Sequence, residues 1–283
     1  PLILLLLNIY NNFFPTDYRN DPYLIDGYFS QENKKILNFI SEENRNEILK
    51  YKDAIKRFDK LYSIHGESLK FLNEAAKVYF ISKVPTEYSW KEKYTKVKLQ
   101  ENWVLYFVRK FEEIQKKYTQ KNKYYGAYIY YQSSDYKFAL KRGISICSQD
   151  AVSFANLLKR RYNINSNIVG LGGHVLMQAQ INNKYYLSDP NMSLTFDFSI
   201  DEYYDNDKNI MKIKKAYTGI GRPDLIKSFD KLNNRKFKYT GPKAIENSYN
   251  PDTIAFLSNY IKWPAPIILF LIGLYLNYKK CKV

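Results

Sequence analysis

The sequence predicts an α+β fold in which a helix packs on an antiparallel sheet, with a helical region before it and an apolar helix after it. Residues 151–158 carry apolar side chains at helical spacing. Residues 167–189 form short apolar runs separated by turn residues, and residues 30–118 show long apolar stripes of helical period. With 283 residues, of which 45% are apolar, the chain can bury one full core with a helical appendage.

These patterns divide the chain into four regions. Residues 1–27 form an apolar segment and connector, and residues 28–122 form the helical region. Residues 123–250 form the α+β core, and residues 251–283 form a C-terminal apolar helix with a basic tail.

The chain opens on PLILLLLNIY, an apolar run that is too short to span a bilayer, which takes ~20 residues. It is expected to be the end of a spanning or signal segment, or else a buried strand or helix. Turn-forming residues from Asn11 to Gly27 then predict a connector.

Three helices are expected next. The first runs from Ser30 to Tyr62, with Ser30 as its N-cap. A break at His65-Gly66 leads to the second, Glu67 to Val84, and the third covers residues 99–118. Their apolar stripes are expected to bury against one another or against the core.

Cys147, one of two cysteines, lies at or just before the first turn of a predicted helix. The basic residues 159–161 suit the C-terminus of that helix, and residues 133–142 predict a short helix leading to Cys147. Because the first N–H groups of a helix are unpaired and its dipole favours negative charge, this position favours a thiolate.

A β-hairpin is predicted after this helix, because two strand-like runs flank Asn182-Asn183. If these two asparagines form the loop, His174 and Asp189 become diagonal neighbours on one face, ~7–8 Å apart. The carboxylate is thus predicted to reach the imidazole. Cys147 joins them only if its helix packs against the sheet.

After Asp189, a further strand and a short helix capped near Ser199 are expected. Residues 219–223 (GIGRP) predict a turn. A lone G-x-G without a following helix is not a phosphate-binding loop.

A cysteine at a helix start, a histidine on a following strand and an aspartate in an Asp-Pro step resemble the transglutaminase-like superfamily. Gly143, Cys147, His174, Asp189 and Pro190 carry the resemblance, within residues 142–190. It implies a papain-like core and a Cys-His-Asp triad that transfers an acyl group through a cysteine thioester. It also implies a protein or peptide substrate with an amide bond, and either hydrolysis or transamidation.

Papain-like enzymes also use a side-chain donor upstream of the cysteine to bind the oxyanion. By this resemblance, Gln132 is the candidate donor, together with the N–H of Cys147. With two histidines and no Cys, Asp or Glu cluster at ligand spacing, neither a metal nor another cofactor is expected.

Two alternatives remain open. Residues 174–189 are also similar to the histidine-to-aspartate hairpin of the arylamine N-acetyltransferases, which use the same chemistry on acetyl-coenzyme A. Members of the transglutaminase-like superfamily commonly carry an aromatic residue soon after the histidine, where this chain has Val175-Leu176. A catalytically idle binding or scaffold domain at the membrane is therefore the second alternative.

The net charge of +16 fits an anionic surface or acidic substrates, but also a simple compositional bias. Residues 116–131 interleave lysine and tyrosine, as single-strand nucleic-acid sites do. We prefer a strand or loop lining the cleft, so nucleic acid is not the expected partner. The sequence carries no signal for the oligomeric state.

The C-terminal apolar run predicts a membrane anchor. Its uncharged part, Trp263 to Tyr278, falls slightly short of the ~17–25 residues of a spanning helix. Extension back to Tyr260 past Lys262 brings it into range. A tryptophan at one end and lysines at the other are typical interface anchors. They predict a single or double span, with the catalytic domain outside the cytoplasm and the lysine tail inside.

Overall fold

The computed structural model describes residues 1–22, 25, 35–36, 48–84, 96–119, 135–171, 173–230, 257–258 and 260–280. Within them the helices are α1 (Leu2–Phe13), α2 (Tyr51–His65), α3 (Leu69–Ile81), α4 (Trp103–Thr119), α5 (Tyr136–Arg142), α6 (Cys147–Tyr162), α7 (Ile200–Tyr204), α8 (Asp207–Gly219), α9 (Ile226–Asp230) and α10 (Pro264–Lys280). The strands are β1 (Ser166–Gly170), β2 (Val175–Ile181), β3 (Lys184–Asp189) and β4 (Leu194–Thr195). Helices combined with a small antiparallel sheet confirm the α+β class.

The four strands follow the order β1-β2-β3-β4, and every pair is antiparallel. Asn182 and Asn183 form the β2–β3 turn with φ values of 50° and 63°. Asparagine accepts this left-handed conformation more readily than most residues. Met177 pairs with Ser188, which is the predicted register. The hairpin prediction is therefore confirmed.

Two helices pack on this sheet. Helix α6 contacts β1 and β2, and α3 contacts β3 and β4. The helices also meet each other, because the rings of Tyr79 (α3) and Phe154 (α6) lie 5.2 Å apart. Successive residues Leu176 and Met177 are both fully buried, so both faces of β2 are covered.

The break predicted between the first two helices is confirmed, because α2 ends at His65 and Gly66 adopts φ +58°. Helix α3 is shorter than predicted at both ends. Ser68 caps its start by accepting a hydrogen bond from the Phe71 N–H at 3.1 Å. Beyond its end, the chain is extended: the Val84 N–H donates to the Gly143 carbonyl at 2.8 Å. The predicted N-cap Ser30 lies outside the described residues.

The region after β3 contains the predicted short helix, α7, and its cap. Ser199 forms a capping box with Glu202. Helix α8 follows, which the sequence reading did not assign. Its buried side chains include Ile213 and Tyr217, one helical turn apart.

The chain forms two compact units. One comprises Pro1–Thr16, Glu92–Gln132 and Ser248–Val283, and the other comprises Asp17–Lys91 and Ser133–Asn247. In the first, α1 contacts α10, and the Asn102 amide donates to Ser258 Oγ at 2.8 Å. The second holds the sheet with α2, α3 and α5–α9. The four-region division drawn from the sequence stays a prediction.

The C-terminal apolar run differs from its prediction. Residues 262–263 form a turn, so the helix starts at Pro264 and does not extend back to Tyr260. Within the described part of the chain, no helix combines the length and apolarity needed to cross a bilayer. The predicted C-terminal transmembrane helix is therefore not supported.

Candidate active site

The structure brings three predicted site residues together in the unit that holds the sheet. His174 Nε2 lies 2.7 Å from Asp189 Oδ2, and Cys147 lies close enough to the His174 ring to contribute to its raised pKa. The imidazole thus stands between a thiol and a carboxylate. This order is the one that nucleophilic catalysis by cysteine requires.

The hairpin explains the histidine–aspartate contact. His174 immediately precedes β2, and Asp189 is the last residue of β3. The confirmed register places them as diagonal neighbours on one face. Both are nearly sealed from solvent, at 3% and 0% exposure, so their interaction is little screened by water.

Cys147 is the first residue of α6 and is half-buried. Helix α5 ends at Gly143, which adopts φ +67° as the C-cap, and Ile144 then bridges to Val84. Ile146, the N-cap of α6, has an apolar side chain that makes no capping hydrogen bond. The first N–H groups of α6 therefore receive no hydrogen bond from the side chain of the N-cap residue.

The imidazole is held in its protonated form. Burial acts to lower the pKa of His174, but the charge of Asp189 and its hydrogen bond, together with Cys147, raise that pKa to about 10. Nε2 faces Asp189, which leaves Nδ1 for the sulfur. At neutral pH, the imidazole therefore carries a proton.

Asp189 is fixed by four donors. Its Oδ2 accepts from His174 Nε2 and from the Tyr217 hydroxyl, both at 2.7 Å. Its Oδ1 accepts from the N–H groups of Asn191 at 3.0 Å and Met192 at 3.2 Å. Burial, followed by the charge of Asp189, raises the pKa of Tyr217 well above its usual range. The phenol therefore remains a neutral donor to the carboxylate.

Sequence reasoning missed Tyr217, although a readable signal was present. It is one of 28 tyrosines, so its residue type alone drew no attention. The helical spacing of Ile213, Tyr217 and Ile220, all fully buried, would have placed it on the inner face of a helix. Its pairing with Asp189 could not have been read from spacing alone.

A second buried polar cluster lies beside the first. Asp150, on the first turn of α6, forms an ion pair with Lys83 and accepts hydrogen bonds from Ser145 and Asn191. The exposure of Lys83 is 2% and that of Asp150 is 0%. Burial and then the charge of Asp150 raise the pKa of Tyr79 well above its usual value.

The fourth predicted site residue, Gln132, lies outside the described residues. Its assignment to the oxyanion hole stays a prediction. In the part of the chain that the structure describes, no group of three or more His, Cys, Asp or Glu side chains could hold a metal ion.

No family model matches the chain, and neither a curated protein nor a solved structure matches it. The chemistry of the site must therefore be argued from its geometry. A half-exposed sulfur, a protonated imidazole and a buried carboxylate supply a nucleophile, a proton carrier and an orienting group.

Proposed function

We propose that the chain is a transglutaminase-like cysteine enzyme with a papain-like core that hydrolyses an amide or peptide bond through a cysteine thioester. The observation that supports the proposal most strongly is the contact chain from Cys147 through His174 to Asp189. The fold is consistent with it, because the cysteine begins a helix that packs on an antiparallel sheet.

In the first step, the Cys147 thiolate attacks the carbonyl carbon of the substrate and forms a C–S bond. The negative charge moves to the carbonyl oxygen, which the Cys147 N–H stabilises. His174 gives its Nδ1 proton to the leaving nitrogen, and the C–N bond breaks. Asp189 keeps the ring oriented throughout.

In the second step, His174, now neutral, takes a proton from water while the water oxygen attacks the thioester carbon. The C–S bond breaks, and the acid product leaves. Thiolate and imidazolium are restored, so the cycle needs no cofactor. If an amine attacks the thioester in place of water, the reaction is a transamidation.

The test is the pH dependence of Cys147 alkylation by iodoacetamide, in a Cys281→Ser background so that only one thiol reacts. A free thiol has a pKa of ~8.5, so it reacts slowly at pH 6.5. We expect rapid labelling at pH 6.5 that is lost in His174→Ala. An ordinary thiol profile in the unmodified site would contradict the proposal.

The acceptor is tested separately. A thioester enzyme that admits amines incorporates a fluorescent alkylamine into a glutamine-containing protein, whereas a hydrolase releases ammonia or cleaves the chain. We expect hydrolysis without amine incorporation. Rapid acetylation of Cys147 by acetyl-coenzyme A would instead favour the arylamine N-acetyltransferase alternative.

The proposal includes attachment to a lipid surface through α10. Its large side chains are about half exposed or more; they are Ile267, Ile268, Leu269, Phe270, Leu271, Ile272, Leu274, Tyr275 and Leu276. A helix without a polar face suits hydrocarbon better than water. We expect the chain to float with anionic phospholipid vesicles and the paired variant Leu271→Lys/Leu274→Lys to remain unbound. Equal flotation of both would contradict lipid attachment through α10.

A further inference from the structure

One residue joins the two buried clusters. Asn191 lies two residues after Asp189 and is 3% exposed. Its backbone N–H donates to Asp189 Oδ1 at 3.0 Å, and its side-chain amide donates to Asp150 Oδ2 at 2.6 Å. A single residue therefore binds both buried carboxylates.

These carboxylates belong to the two elements that carry the reacting groups. Asp189 ends β3 and orients His174, whereas Asp150 follows Cys147 by three residues within the first turn of α6. A helical turn is rigid and advances only ~1.5 Å per residue. A fixed Asp150 therefore fixes the position of the sulfur along the helix axis.

Asp150 is equipped to act as that fixed point. Its Oδ1 accepts from the Ser145 hydroxyl, and its Oδ2 accepts from Lys83. Lys83 forms a buried ion pair with this carboxylate, and charge-assisted hydrogen bonds are about twice as strong as neutral ones. The amide of Asn191 thus binds a strong and immobile acceptor.

We propose that Asn191 is a positioning residue, which ties the first turn of α6 to the Asp189 loop and so sets the distance between the Cys147 sulfur and the His174 ring. This inference rests on the proposed function, because the distance matters only if the two groups share a proton. Asn191 does not touch the reacting atoms; it acts through Asp150 and Asp189.

The first test variant is Asn191→Ala in the Cys281→Ser background. It retains the backbone N–H that binds Asp189 and removes the side-chain hydrogen bond to Asp150. The readout is the ratio of the iodoacetamide alkylation rates of Cys147 at pH 6.5 and pH 9.5. This ratio reports the thiolate fraction and is insensitive to a general loss of stability.

Asn209→Ala is the matched control. Asn209 is also buried, and its amide donates to the Glu202 carbonyl at 2.9 Å, joining α8 to α7. Both variants lose one asparagine hydrogen bond of similar length. We expect Asn191→Ala to lower the pH 6.5 to pH 9.5 ratio at least about 10-fold, towards the ratio of an ordinary thiol with a pKa of ~8.5. Asn209→Ala should leave it unchanged.

If Asn191→Ala does not fold, Asn191→Ser provides the second variant. The serine side chain is too short to reach Asp150, so this variant should show the same decrease in the alkylation ratio. An unchanged ratio in a folded variant, or an equal change in Asn209→Ala, would overturn the positioning role. The parent protein separates the two proposals. If its own ratio is that of an ordinary thiol, the proposed function fails; if its ratio is high and insensitive to Asn191, only the positioning role fails.

Discussion

The two buried clusters both contain a pair of a carboxylate and a cation, but the two pairs have different roles. Each pairs a carboxylate at 0% exposure with a cation, Asp189 with His174 and Asp150 with Lys83. In the Asp150–Lys83 cluster, both partners are sealed from solvent, and the ammonium lies over the buried rings of Tyr79 and Phe80. In the first, the imidazole continues to Cys147, which is half-buried. A buried ion pair can support chemistry only where one of its members meets a group that solvent and substrate can reach.

The largest expected effect comes from breaking the first cluster. Asp189→Asn keeps the size of the side chain but removes the charge that holds the proton on His174. We expect the alkylation rate of Cys147 at pH 6.5 to fall by up to about 100-fold, because a thiol with an ordinary pKa of ~8.5 is only about 1% ionised at that pH.

The matched control for this variant is Asp197→Asn, which removes an exposed carboxylate paired with Lys212. It should leave the alkylation rate unchanged. If Asp189→Asn labels as fast as the parent protein, Asp189 does not govern the ring, and the contrast between the clusters is lost.

Disrupting the Asp150–Lys83 cluster should lower the stability of the folded chain. Lys83→Met leaves Asp150 buried without its cation, and breaking one side of a buried pair costs about 3–5 kcal/mol. Urea unfolding followed by circular dichroism measures this loss.

The double variant Lys83→Met/Asp150→Leu should recover most of that free energy, because no unpaired charge remains. A Lys83→Met variant with parental stability would show that the pair is not buried as the structure has it.

Tyr217→Phe should have a smaller effect, because it removes one of four donors to Asp189. A hydrogen bond to a charged group contributes about 1.5–3 kcal/mol. The free energy of unfolding should therefore decrease by an amount in that range. Tyr186→Phe, on the half-buried part of β3, is the matched control and should be near neutral. Equal stability of the two variants would mean that the Tyr217 hydroxyl does not bind Asp189 in solution.

The pH dependence of stability should also distinguish the two clusters. The pKa of His174 is raised to about 10 in the folded chain, against an unfolded value of ~6.5. Its contribution is therefore fully present below pH ~6.5 and is lost as the pH rises towards 10. The difference in unfolding free energy between the parent and His174→Gln should narrow over that interval. A constant difference would indicate that His174 does not gain a proton on folding.

The part of the site that follows from local chemistry could be predicted. Asn182 and Asn183 specify a two-residue turn, the turn fixes the register, and the register brings His174 to Asp189. The position of Cys147 at a helix start could likewise be read from the apolar spacing that follows it.

The remainder depends on contacts between distant segments. Lys83 and Asp150 are 67 residues apart in the chain, and no periodicity relates them. Asp150 looks from the sequence like an ordinary acidic residue in a first helical turn. Similarly, the turn before Pro264 shortened a helix that hydropathy alone extended to Tyr260. Tertiary packing decided each of these features.

The most direct test is the protonation state of the His174 ring, measured by nitrogen NMR in a His65→Gln background that leaves one histidine signal. We predict that both ring nitrogens carry a proton at pH 8 and that Asp189→Asn removes one of them. A neutral ring at pH 8 in the parent site would contradict the thiolate–imidazolium pair.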